Sequence, residues 1–175
     1  MKILGLLRHA KSDWDDTTKR DFDRGLNDRG HRGAALIGKH ITDHGIQWQV
    51  LVASPAARVK ATLADALPQH TPIFDDRLYL ASSDTIIETV ENHGGDHDAI
   101  LVAGHNPGLQ DALLDLVSPA RENDLFREAV VKFPTATFAV LELTIDNWSE
   151  LRKHVATLTH FARPRDLDPE LGPES

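Results

Sequence analysis

Three short stretches of the chain carry side chains able to hold and attack an anion. Leu7-Arg8-His9-Ala10 sets a guanidinium beside an imidazole. Ser54-Pro55-Ala56-Ala57-Arg58 ends on a second guanidinium, and Gly104-His105-Asn106-Pro107 supplies a second imidazole. Arginine presents a planar fork of N–H donors that matches phosphate oxygens two at a time. A neutral imidazole keeps one nitrogen lone pair for attack or proton transfer. Singly, each stretch has a bland explanation: Ser-Pro is a common helix start, and Gly and Asn-Pro favour turns. In company they describe a pocket of two arginines and two histidines, suited to a dianion.

Such a pocket needs elements that bring distant residues together. Each stretch follows a short apolar run: Ile3–Leu7, Val50–Ala53 and Ile100–Ala103. Runs of this length and composition read as buried parallel strands. Phe138–Leu143 reads as a later strand, and a last one is expected within His154–Phe161. Helical patterns lie between them. Asn27 is placed to cap a helix with Ala34, Ala35, Ile37 and Ile41 on its apolar stripe, and Gly45 to end it. Further helices are expected from Ser54-Pro55 to about Leu67, over Thr85–Asn92 before Gly94-Gly95, and over Pro107–Val117. Alternating strands and helices predict an α/β sandwich with a mostly parallel sheet. Ligands of such sheets bind outside the carboxyl ends of the strands, where all three stretches fall. Helix starts after Ser54 and Asn106 would add backbone N–H groups facing the anion. Ser12–Arg24 is polar and without period, which predicts a surface loop. Residues 1–165 are expected to form one domain. The proline-rich stretch after Phe161 is sparse in apolar residues, so 166–175 are expected to form a loose tail.

Composition removes several alternatives. The formal net charge of −8 over 175 residues argues against a nucleic-acid or anionic-membrane partner, because both require clustered basic residues. The absence of cysteine excludes disulfides, thiolate catalysis and zinc–thiolate centres. No run approaches the roughly 20 apolar residues of a membrane span. The N-terminal apolar run is too short for a signal-peptide core, so the expected location is cytoplasmic.

The stretches, read with their neighbours, resemble the histidine phosphatase superfamily, which has the phosphoglycerate-mutase-like fold, and within it the small SixA-type phosphohistidine phosphatases. Leu6-Leu7-Arg8-His9-Ala10-Lys11-Ser12 is similar to that group's opening motif. Asp21, Arg24-Gly25-Leu26 and Asn27-Asp28-Arg29-Gly30 resemble its D…RPL…G segment, with Gly25 where proline is usual. Ser54–Arg58 resembles its S-P-x-x-R motif and Gly104–Gly108 its G-H-N-P motif. Lys132–Ala136 and Arg163–Leu167 are similar to its late segments. The resemblance implies a three-layer α/β/α sandwich with a mixed sheet containing one antiparallel strand. It implies that His9 is a nucleophile that accepts phosphate. Arg8, Arg58 and His105 would hold the phosphoryl oxygens, with Asp21, Arg24, Ser12 and Asn106 contacting substrate. Fixed cations suit phosphoryl transfer, whose charge is spread over the equatorial oxygens. No metal and no cofactor are then expected. Two guanidinium groups beside His9 would also keep its ring neutral.

One departure bears on the substrate. Ester-cleaving members of the superfamily often carry a Glu or Asp as general acid, and Leu80 of Asp76-Arg77-Leu78-Tyr79-Leu80 falls at that position. An alkoxide needs a proton in order to leave, whereas the imidazole of phosphohistidine leaves readily once its ring is protonated. The expected substrate is therefore a phosphohistidine-bearing protein. The alternatives are a broad phosphomonoesterase acting on small phosphate compounds, a phosphoglycerate mutase, and a non-catalytic phosphate- or phosphopeptide-binding module. The chain is short for the mutase, and a binding module would not need His9. The remaining histidines read as surface groups, although His40 and His44 at i,i+4 have metal-ligand spacing. Trp14 either packs over the pocket mouth or rests on the domain surface.

Overall fold

A computed structural model describes residues 1–172. Six strands form one sheet: β1 (Lys2–Arg8), β2 (Val50–Ala53), β3 (Ile73–Phe74), β4 (Ala99–Gly104), β5 (Phe138–Leu143) and β6 (Ala156–Ala162). Their spatial order is β3-β2-β4-β1-β5-β6. β3, β2, β4 and β1 run parallel, while β5 is antiparallel to both β1 and β6. The expected mixed sheet with one reversed strand is what forms.

The apolar runs bury both faces of the sheet. In β4, Ile100 and Val102 join a core with Leu4, Leu6, Val50 and Val52, packed under α3 (Ser83–Gly94), α4 (Gly108–Leu116) and α5 (Asp124–Val131). The alternate residues Leu101 and Ala103 join Leu7, Leu51 and Ala53 under α1 (Asp28–His44) and α2 (Ala57–Ala66). The result is a three-layer α/β/α sandwich, and period-two side-chain alternation sorts each strand between the two cores. α1 begins and ends where its caps predict: the Asn27 side chain accepts from the Gly30 N–H at 2.8 Å, and Gly45 takes the left-handed conformation at φ 89°.

Three expectations change. α2 starts at Ala57 with Ala56 at its cap, so Ser54 does not cap the helix. Its hydroxyl is engaged elsewhere, as described below. β3 and α5 were not foreseen. The C-terminal segment is not loose over 166–172. α6 (Pro164–Leu167) lies against α1, Leu171 is buried, and Asp168 pairs with Arg32 of α1 at 3.2 Å. The last three residues of the expected tail, 173–175, lie outside the described residues. No described helix is long and apolar enough to cross a membrane.

α1 and α2 cross so closely that a Cβ built on Gly38 would lie 2.2 Å from the Ala66 carbonyl oxygen. Helix propensity alone favours Ala over Gly by up to about 1 kcal/mol. Overpacking against a backbone carbonyl that cannot swing aside costs about 1–3 kcal/mol, and this term wins. Gly38→Ala should lower the urea midpoint. An unchanged or raised midpoint would mean that the two helices can separate freely.

Candidate active site

Parallel register sets the three stretches side by side. Arg8 at the end of β1 is paired with Gly104 at the end of β4, and Ala53 at the end of β2 with Ala103. His9, Ser54 and His105 therefore leave the sheet at one edge and one level. The reversed strand β5 begins at that edge, with Phe138 opposite Leu7, so the segment leading into it also reaches the site. Arg8, His9, Lys11, Ser12, Trp14, Asp21, Arg58 and Thr135 line an open cleft of about 270 Å³ there. A second, tighter cavity beside Lys11 and Pro134 holds about 30 Å³, room for little more than a water molecule.

His9 is 8% exposed and packs 5.3 Å, centroid to centroid, from the His105 ring. Its Nδ1 lies 2.7 Å from the Ala10 carbonyl oxygen. A carbonyl only accepts, so Nδ1 carries the proton and Nε2 keeps its lone pair. Burial pushes the His9 pKa down to about 3, against the pull of the Ala10 carbonyl and with help from Arg8, Arg58 and His105. His105 is likewise neutral. Burial and the Arg58 charge take it to about 4, and Asp21 opposes them. Arg58 Nη2 donates to His105 Nδ1 at 3.3 Å, which leaves His105 Nε2–H to donate to Ser54 Oγ at 2.8 Å. Arg58, which can only donate, thus sets the His105 tautomer, and Ser54 accepts the proton left on Nε2.

Both arginines are held from behind. Arg8 Nη1 donates to the Phe133 carbonyl at 2.9 Å. Its Nε is buried and makes no hydrogen bond within the chain. That is costly in an ordinary core and suits a site that takes an anionic acceptor. Arg58 donates from Nη1 to the Asp21 carbonyl at 2.8 Å and from Nη2 to the Asp21 carboxylate at 3.0 Å. Tyr79 donates its hydroxyl to the same carboxylate oxygen at 2.6 Å. Partial burial raises the Asp21 pKa, but the hydrogen bonds from Tyr79 and Arg58 outweigh it and leave the group below the ordinary carboxylate range. Asp21 is therefore ionised and bound to the guanidinium.

Of the eight residues expected at the site, Arg8, His9, Ser12, Asp21 and Arg58 line the cleft, and His105 backs it through Arg58 and His9. Arg24 and Asn106 take positioning roles instead. Arg24, 7% exposed, turns its guanidinium onto the carbonyls of Asp13, Asp16 and Lys19 and so shapes the loop from within. Asn106 donates to the Phe133 carbonyl at 3.0 Å and accepts from Gln110 N–H at 3.1 Å, tying the first turn of α4 to the segment that anchors Arg8. Tyr79, Thr135 and Thr62 were missed. Thr62 accepts from Ala10 N–H at 2.9 Å and donates to the Arg58 carbonyl at 2.7 Å, so it links two of the three stretches. Its position four residues after Arg58 on α2 was the available signal.

Among the described residues, no group of three or more His, Asp or Glu side chains is arranged to hold a metal ion. His40 and His44 stack with His160 of β6, and His40 Nε2 lies 2.7 Å from His160 Nε2. His40 and His160 are half-buried in this stack, and His44 is exposed, as expected of a surface group.

The low pKa values of His9 and His105 make stability depend on pH. Their folded values, about 3 and about 4, lie below the unfolded value of 6.5. Between these limits the unfolded chain binds more protons, so stability falls as pH falls from 6.5 towards 4. Urea midpoints should drop across this window. His160, lowered to about 4 by burial and by His44 and His40, adds to the drop. His9→Gln removes one of these groups and should shrink the drop; an undiminished drop would mean that His9 is protonated in the fold.

The sequence profile of the histidine phosphatase superfamily (branch 1) matches residues 4–79. An uncharacterized protein of Mycobacterium tuberculosis is 32% identical over 160 residues, covering 91% of this chain and 100% of the relative. A solved structure from Nakamurella multipartitia, assigned as the phosphohistidine phosphatase SixA, superposes with a TM-score of 0.83 at 30% identity. It covers 93% of this chain and 96% of its own. One from Agrobacterium tumefaciens with the same assignment gives 0.74 at 28% identity, covering 93% and 98%. With this fold and these motifs, the chain belongs to the histidine phosphatase superfamily, among its SixA-type phosphatases.

Proposed function

We propose that the protein removes the phosphoryl group from phosphohistidine in a protein substrate, through a covalent intermediate on His9. The observation that carries the reading is the state of His9: neutral, with Nδ1–H held by the Ala10 carbonyl and Nε2 unprotonated in a cleft with two guanidinium groups. In the first step Nε2 attacks phosphorus in line. The substrate's P–N bond breaks, and its electron pair returns to the leaving imidazole, which has taken a proton on its other nitrogen. Arg8 and Arg58 hold the phosphoryl oxygens as charge redistributes. In the second step water attacks phosphorus, the bond to Nε2 breaks, and inorganic phosphate leaves. The proton released by water passes to the phosphate or to solvent.

Leaving-group chemistry supports the substrate. Leu80 is exposed and occupies a left-handed conformation at φ 50°, with no acid at its position. Asp21 is the carboxylate that lines the cleft, and it is ionised through Tyr79 and Arg58, which makes it a poor proton donor. An ester would have to leave as an unprotonated alkoxide, whereas an imidazole leaves neutral.

Two measurements test this reading. Wild-type protein given a phosphohistidine protein should carry an acid-labile, alkali-stable phosphoryl group on His9. His9→Ala should reduce turnover more than ~1000-fold, as removal of a covalent nucleophile does, and Arg58→Ala at least ~100-fold. Near wild-type rates in His9→Ala would refute the covalent route. Separately, log rate across a series of aryl phosphates should fall steeply with leaving-group pKa, with phosphohistidine cleaved best and alkyl phosphates hardly at all. A shallow slope made steep by Asp21→Asn would identify Asp21 as a proton donor after all. A shallow slope with good alkyl phosphate turnover would favour a small-molecule phosphatase.

A further inference from the structure

Trp14 lines the same cleft as Arg8, His9 and Arg58 and is 63% exposed. A single exposed aromatic is ordinary on a protein surface, but this one is fixed in place. The Arg24 guanidinium lies over its ring, 4.0 Å from the centroid. Arg24 is itself buried and fastened to three loop carbonyls. One face of the indole is therefore covered, and the exposure belongs to the opposite face and the ring edges. An aromatic ring held this way offers a flat apolar surface at little further cost in side-chain entropy.

Its place relative to the reaction axis gives that surface a use. His9 is buried at the base of the cleft, and in-line transfer puts the leaving atom on the far side of phosphorus from Nε2. The leaving group thus points out towards the mouth, where the exposed Trp14 stands. We infer that Trp14 is a leaving-group platform, its open face stacking on a planar ring attached to the phosphoryl group. The imidazole of phosphohistidine is that ring if the function proposed above holds; the stacking subsite itself does not depend on it. Trp14 then selects for phosphoryl groups borne on flat rings over those borne on chains, a preference the two arginines cannot express because they touch only the phosphoryl oxygens.

Non-hydrolysable phosphonates separate ring binding from chemistry. Titration calorimetry with phenylphosphonate and methylphosphonate yields a ratio of affinities for each protein. Wild type should favour the phenyl compound by at least about fivefold, a factor in the range of one aromatic stacking contact. Trp14→Ala should bring the ratio close to one, and Trp14→Phe should keep most of the wild-type preference. If Trp14 serves only to cover Arg24 and order the loop, Trp14→Ala weakens both ligands together and the ratio stays, which overturns the platform. A wild-type ratio near one overturns it as well. A ratio that collapses in Trp14→Ala, in a protein that does not turn over phosphohistidine, supports the platform and counts only against the substrate proposed above.

Discussion

The pairing of β1 with β4 is the constraint on which the site depends. Parallel strands in register end together, so Arg8 faces Gly104 and the residue after each strand is a histidine. β2 pairs on the far side of β4 and delivers Ser54 to the same edge. A one-residue slip in either pairing would turn every side chain to the opposite face and exchange the two cores. Because both faces are packed with fitted apolar side chains, the register that places this edge is held by the whole interior. β5, entering from the opposite direction, closes the site with the carbonyl of Phe133, which anchors both Arg8 and Asn106.

Upon that frame the site sets its charges against burial. Two guanidinium groups remain charged in a half-enclosed cleft, and the two imidazoles beside them stay neutral mainly because they are buried. Each imidazole then needs its proton on a defined nitrogen. The Ala10 carbonyl does this for His9, and the pair Arg58–Ser54 does it for His105. The two rings are thus unlike: His9 keeps a lone pair towards the cleft, whereas both nitrogens of His105 are engaged. His105 acts on the cleft through Arg58, whose position it shares in fixing.

Much of this was legible in the chain because it is local. The apolar runs of β1, β2 and β4 announce buried strands, Asn27 and Gly45 mark the ends of α1, and the arginines and histidines follow strand ends. What was not legible depends on distant partners. β3 is two exposed residues, Ile73 and Phe74, with no alternation to read. The segment 166–172 looks like a tail in composition and is held by contacts with α1. Arg24 looks like a substrate contact, but the loop carbonyls it satisfies lie at positions no spacing rule reveals. The Tyr79–Asp21 bond joins residues 58 positions apart. Ser54 looked like a helix cap because Ser-Pro is one, and only the arrival of His105 beside it gives the hydroxyl another partner.

The bond between Asp21 and Arg58 changes what it means for an anion to enter the cleft. Arg58 is not a bare cation: a carboxylate already shares its charge, and Tyr79 holds that carboxylate in place. An anion entering the cleft therefore meets a group of its own sign beside the guanidinium, and its affinity is the attraction of the cations less the repulsion from Asp21. An anion that reaches both Arg8 and Arg58 offsets that repulsion better than one that touches Arg58 alone. The resident carboxylate thus sets a threshold of reach for entry to the cleft.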